Sequence, residues 1–123
     1  MSSDTRTMAE NMLLGLGVNP GFRGFTHLCI AVDLCLADPS LVQAVTKELY
    51  PHIAGTLGKG ETSARVERCI RHAVSQAVVS SLRRWERLFH RRLAKPPTNK
   101  HVIAALVTAV QQEVRAAGAS QAS

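Results

Sequence analysis

The stretch ETSARVERCIRHAVSQAVV, Glu61–Val79, decides how the rest of the chain is read. On a helix, Val66, Cys69, Ile70, Ala73, Val74 and Ala77 recur at i, i+3, i+4, i+7, i+8 and i+11 and share one side. The opposite side carries Ala64, Arg65, Glu67, Arg68 and Arg71. Thr62 or Ser63 can cap this helix by accepting from the free amides of its first turn. Just upstream, YPHIAGTLGKGE reads as a short helix ending at Gly58, then a Gly58–Gly60 turn. Helix, glycine turn and a second helix with a polar leading end make a helix-turn-helix over residues 50–79. In that arrangement the second helix, 62–79, is the one that enters a DNA major groove.

Working outward, a chain of 123 residues can bury one core. Hydrophobic residues make up 46% and aromatics only 4%, so Ala, Val and Leu supply the core, which favours helix over sheet. The fold class expected is all-α, a compact domain of six to seven helices. The net charge of +6 is unevenly spread. Between Lys59 and Lys100 there are 11 basic and 3 acidic residues, whereas the remainder has 4 basic and 6 acidic. One part of the molecule is therefore suited to a polyanion. Double-stranded DNA fits better than a membrane, which would want large apolar residues exposed beside the charges.

The other helices follow from periodicity and breakers. Residues 1–6 are expected to be a loose tail, 7–117 the helical domain and 118–123 a disordered tail. Within the domain, Thr7–Leu16 directs Met8, Met12, Leu13 and Leu16 inward. Gly24–Ala37 does the same with Phe25, Leu28, Cys29, Val32 and Leu36, and Leu41–Leu49 with Leu41, Val42, Val45 and Leu49. The basic segment Ser81–Leu93 turns Leu82, Trp85, Leu88 and Phe89 to one side. Its arginines form either a solvated face or a phosphate-contacting flank. After Lys95-Pro96-Pro97, Thr98 or Asn99 caps a final helix, Lys100–Ala116, with Val102, Ile103, Leu106, Val107, Val110 and Val114 inward.

Chemistry narrows the function. Arginine can give two hydrogen bonds to guanine, glutamate can accept from cytosine, and a small residue can sit against a thymine methyl. Arg68 and Glu67 are placed to read bases, with Arg65 and Arg71 one turn either way and Ser63 and Ala64 at the leading end. The competing reading makes Glu67 and Arg71 a surface ion pair worth about 0.2–0.5 kcal/mol. Lys59, His72, Arg83, Arg84, Arg87 and Lys95 are candidate phosphate contacts.

No catalytic residue is proposed, because HExxH, GxSxG and a phosphate-cradling GK[ST] loop are absent. The histidines (His27, His52, His72, His90, His101) are scattered, so no metal and no cofactor is expected. His27 and His52 read as partly buried packing residues. Cys29, Cys35 and Cys69 read as small core residues in a reduced cytosol. The N-terminus has no basic leader followed by a sustained apolar run, so a cytoplasmic protein is expected, and DNA binding would associate it with the nucleoid.

The strings LYPHIA, ARVERCIRHA and KPPTN, in that order, resemble the C-terminal DNA-binding effector domain of the stage-zero sporulation response regulators of endospore-forming bacteria. The looser LLGLGV and GFRGFTHLCIAV extend the similarity to Asn11–Val114. The resemblance implies a six-helix domain reading a TGTCGAA-like box, paired head to tail as a homodimer on tandem boxes. It also implies contact with RNA polymerase sigma subunits, and DNA contacts at Arg65, Glu67, Arg68 and Arg71. Ala64 stands where the family tends to have serine, Ser81–Leu93 is richer in arginine, and the end after Arg115 lacks basic residues. The family regulators carry a receiver domain in front, so this chain is expected to be an excised domain or a free-standing relative. Two other readings stay open: a module that dimerises with a full-length regulator, and an RNA-binding helical protein.

Overall fold

The computed structural model describes residues 3–122, with side-chain environments from 4 to 118. It is all-α, with no strand among the described residues. The helices are α1 (Ser3–Gly15), α2 (Arg23–Ala37), α3 (Tyr50–Leu57), α4 (Ser63–Ser80), α5 (Leu82–Phe89) and α6 (Asn99–Ala122). Two short turns, Pro39–Gln43 of 3-10 type and Val45–Leu49 of π type, join α2 to α3.

α2 is the central element. Gly24, Phe25, His27, Leu28, Cys29, Ile30, Ala31, Val32 and Cys35 are all buried, so it is enclosed almost all round rather than on the single side expected. α4 crosses it closely at Gly24, where an added Cβ would overlap the Cys69 carbonyl oxygen and crowd the Ala73 methyl. Only glycine lets the two backbones meet there. α6 lays Val102, Ile103, Leu106, Val107 and Val110 into the same core. Burial pushes the Cys29 and Cys35 thiols up to about 11, so both behave as apolar filler.

Several boundaries differ from the sequence reading. α1 begins at Ser3 instead of Thr7, and the Arg6 guanidinium donates to Asp33 of α2 at 2.6 Å. α6 continues to Ala122, beyond the expected stop at Ala116. Residues 1, 2 and 123 of the expected tails lie outside the described residues. The single helix expected over Leu41–Leu49 is two turns. Asp38 caps the first through the Ser40 amide, and Ala44 then leaves the helical region at φ −133°. The break still turns Leu41, Val45 and Leu49 inward.

The basic helix is shorter than Ser81–Leu93. His90 adopts a left-handed conformation (φ 57°, ψ 33°) and ends it, after which Leu93 returns to the core from an irregular segment. Leu82 and Val114, both expected inside, are 41% and 43% exposed. Leu82 is the first residue of α5, where the helix begins at the surface before Trp85 reaches the core. Val114 lies one turn past Val110, the last buried residue of α6 among those whose side-chain environment is described.

Candidate nucleic-acid interface

The helix-turn-helix is formed by α3, the turn Gly58–Gly60 and α4. Gly58, Lys59 and Gly60 all have positive φ (64°, 48° and 81°), which reverses the chain within three residues. Thr62, not Ser63, is the cap: its hydroxyl accepts from the Arg65 amide at 3.2 Å. Behind it, Val66, Ile70, Ala73, Val74, Ala77 and Val78 are buried, and Cys69 is half-buried. This stripe fixes the rotation of α4, because any roll would bring apolar surface into water.

A helix advances about 100° per residue, which puts Arg68 opposite the buried stripe. On one side of Arg68 lie Ala64, Arg71 and then Glu67. On the other lie His72 and Arg65. Ala64, Arg68, Arg71 and His72 are exposed, whereas Ser63, Arg65 and Glu67 are half-buried. The arginines thus share one face of a rigid helix, with Arg68 at its crest. Among the described residues Glu67 and Arg71 are not paired within 4 Å; an ion pair forms six residues earlier, Glu61 to Arg65 at 3.5 Å.

Each flank of α4 is built differently. The Glu67–Arg71 flank borders a groove also lined by Lys47, Tyr50, Pro97 and Asn99. There the Asn99 amide donates to the Tyr50 hydroxyl and to the Glu67 carbonyl oxygen, both at 3.0 Å. One side chain at the start of α6 therefore joins α3 to α4. Burial raises the Tyr50 phenol above its ordinary value of 10, keeping it a neutral partner. The other flank is formed by Phe22, Arg23, Gly24, Cys69 and His72. The His72 ring packs on Phe22 with centroids 5.1 Å apart, which places it on the helix flank.

At the base of that flank sits Glu61, with a side chain only 7% exposed. Its Oε2 lies 3.3 Å from His27 Nε2 and 3.9 Å from Arg23 Nη1. Its Oε1 has Arg65 Nε at 3.5 Å without hydrogen-bond geometry. His27 is 1% exposed, and its Nδ1 has no partner. Burial lowers the His27 pKa below 6.5, against the opposing pull of Glu61, so near neutral pH the ring is uncharged and Nε2–H donates to the carboxylate. The sequence reading missed this cluster. His27 and Glu61 are 34 residues apart, and no local pattern announces the pairing.

The remaining candidates are dispersed. Lys59 is exposed in the turn, and Lys95 is exposed on the segment between α5 and α6. Arg83, Arg84 and Arg87 are exposed on α5, but α5 follows the far end of α4. At 1.5 Å per residue, α4 separates Ser63 from Ser80 by about 25 Å. Arg84 is also engaged elsewhere, donating to the Gly15 carbonyl at 2.9 Å. The α5 arginines and the leading end of α4 are therefore not one cluster.

His52, expected to be partly buried, is exposed. Among the described residues no group of three or more His, Cys, Asp or Glu is placed to hold a metal, and no helix is long and apolar enough to cross a membrane.

Over residues 9–110 the sequence matches the family described as Sporulation initiation factor Spo0A C terminal. That family is a DNA-binding transcription-factor domain, not an enzymatic one. Its span takes in α2, the helix-turn-helix, α5 and the buried part of α6, so the match covers every element that positions the arginine face. The chain belongs to this family, as a DNA-binding domain of the sporulation-regulator type.

Proposed function

We propose that α4 reads a specific duplex sequence, a box with a TGTCGAA-like core, by inserting its first three turns into the major groove. The observation that carries this reading is the position of Arg68. It is exposed at the crest of a capped helix, directly opposite a stripe that cannot rotate. From there it can give a guanine a bidentate pair, while Glu67, Arg65 and Arg71 address neighbouring bases or phosphates and Ala64 offers a methyl. Ser63, at the leading end, and Lys59, in the turn, sit where the backbone would pass. His72, Lys95 and the α5 residues Arg83, Arg84 and Arg87 are assigned to phosphates at the edges of the footprint. The protein then works in the cytoplasm at the nucleoid.

A fluorescence-anisotropy titration of a box-containing duplex against a scrambled one tests this. We expect tighter binding to the box at every salt concentration, and equal affinities would defeat the proposal.

A second reading is a protein-interaction module, pairing with a full-length regulator, with a copy of itself on tandem boxes, or with a sigma subunit. The exposure of Val79 (83%) near the end of α4 and of Leu82 at the start of α5 favours it. Light scattering with and without a tandem-box duplex separates the two. A monomer that binds a single box favours the first.

A further inference from the structure

Arg23 opens α2 and lies outside the helix-turn-helix, yet it shares a flank with Arg68 and His72. Its side chain is 66% exposed, while the carboxylate it approaches, Glu61, is almost fully enclosed. Arg65 comes to the same carboxylate from α4 and is 43% exposed. Two guanidinium groups from two helices are thus drawn to one side of the reading face by a single buried anion. Glu61 has little freedom of its own. His27 holds Oε2 from below, and the residue lies between the Gly58–Gly60 turn and the Thr62 cap. Two arginines around one carboxylate leave a net positive charge facing solvent, and guanidinium groups prefer the forked geometry that phosphate oxygens offer.

We propose that Arg23 and Arg65, held by the buried Glu61 carboxylate, form a phosphate site for the DNA backbone on the α2 side of α4, with Glu61 as its positioning residue. The inference rests on the duplex-binding reading above. A backbone contact of this kind carries no sequence information but fixes the register in which the neighbouring Arg68 meets a base. Glu61 has a second effect. By offsetting part of the charge on both arginines, it restrains them from gripping phosphates in any orientation.

The test uses the intact chain and its Arg23→Ala and Glu61→Gln variants, titrated with box and scrambled duplexes from low to moderate salt. Arg23→Ala should weaken both duplexes by the same factor, roughly 3- to 10-fold, and reduce the slope of log affinity on log salt by about one. Glu61→Gln keeps an oxygen to accept from His27 but removes the charge. It should lower the box-to-scrambled affinity ratio several-fold without weakening the scrambled duplex. A loss of fold would weaken both duplexes together, and a thermal melt identifies it; in that case Arg23→Ala decides. Unchanged affinity and slope for Arg23→Ala overturn the site. A Glu61→Gln protein that is folded but keeps the wild-type ratio overturns the positioning role. Failure of the wild-type chain to prefer the box is a different result, and it removes the parent reading as well.

Discussion

Two surfaces of this domain are rich in arginine, and they are built in opposite ways. The leading face of α4 has three arginines on an 18-residue helix that is capped, backed by a continuous buried stripe and bounded on both flanks by other helices. The face of α5 has as many arginines on an 8-residue helix fastened by one fully buried residue, Trp85, whose indole donates to the Leu16 carbonyl at 2.9 Å. On α5 the arginines also serve the fold. Arg84 bonds Gly15, and Arg91, just beyond the helix, stacks over Phe89 at 5.8 Å. The two surfaces therefore hold equal numbers of arginines in unlike settings, and the reading proposed above rests on the setting and not on arginine density. What distinguishes α4 is that the azimuth of its arginines is fixed by the buried apolar stripe behind them.

Five experiments on variants would break or sharpen this contrast. Trp85→Ala should have the largest effect, about 3–5 kcal/mol of stability in denaturant unfolding, because it removes the anchor of α5 and opens a cavity. If the folded fraction still discriminates box from scrambled duplex, the reading surface is independent of α5. A loss under 1 kcal/mol would mean that α5 is held by something else. Arg68→Ala should cost about 1–3 kcal/mol at the box and little at a scrambled duplex. The double change Arg83→Ala with Arg87→Ala should move both duplexes by one common factor and leave their ratio intact. If instead Arg68→Ala were the uniform change, the two surfaces would not differ in kind.

Thr62→Ala removes the α4 cap and should cost about 0.5–2 kcal/mol in thermal unfolding, with recovery in Thr62→Ser or Thr62→Asp. The smallest effect is that of pH. His27 has a folded-state pKa below its unfolded value of 6.5, so the unfolded chain takes up the proton first. Its contribution to stability is fully present above pH 6.5 and declines as pH falls through the interval below. His27→Gln should flatten that part of a stability-versus-pH curve. An unaltered curve would show that His27 is not the titrating group.

The helix-turn-helix and the exposure of Arg68 and Arg71 were legible because both rest on local signals: a 3.6-residue period, a glycine turn and a capping hydroxyl. The π turn at Val45–Leu49 was not. It arises where Ala44 breaks the helix, and the inward set Leu41, Val45 and Leu49 fits a continuous helix equally well. The early stop of α5 was hidden too, since Leu82 and Leu93 match the apolar period although one faces water and the other packs from a loop. Least visible was the Glu61 cluster. The residue opens the stretch that decided the fold, but its partners His27 and Arg23 come from α2, and only tertiary packing brings them to it.

The absence of a side chain at position 24 has an outcome that reaches across relatives. Where α2 and α4 cross there, backbone meets backbone, so even a methyl group would wedge the two rods apart. A homologue with alanine or serine at this place must hold α4 farther from α2. Arg23 and Arg65 stand on those two helices, so their common approach to Glu61 depends on how closely the rods cross.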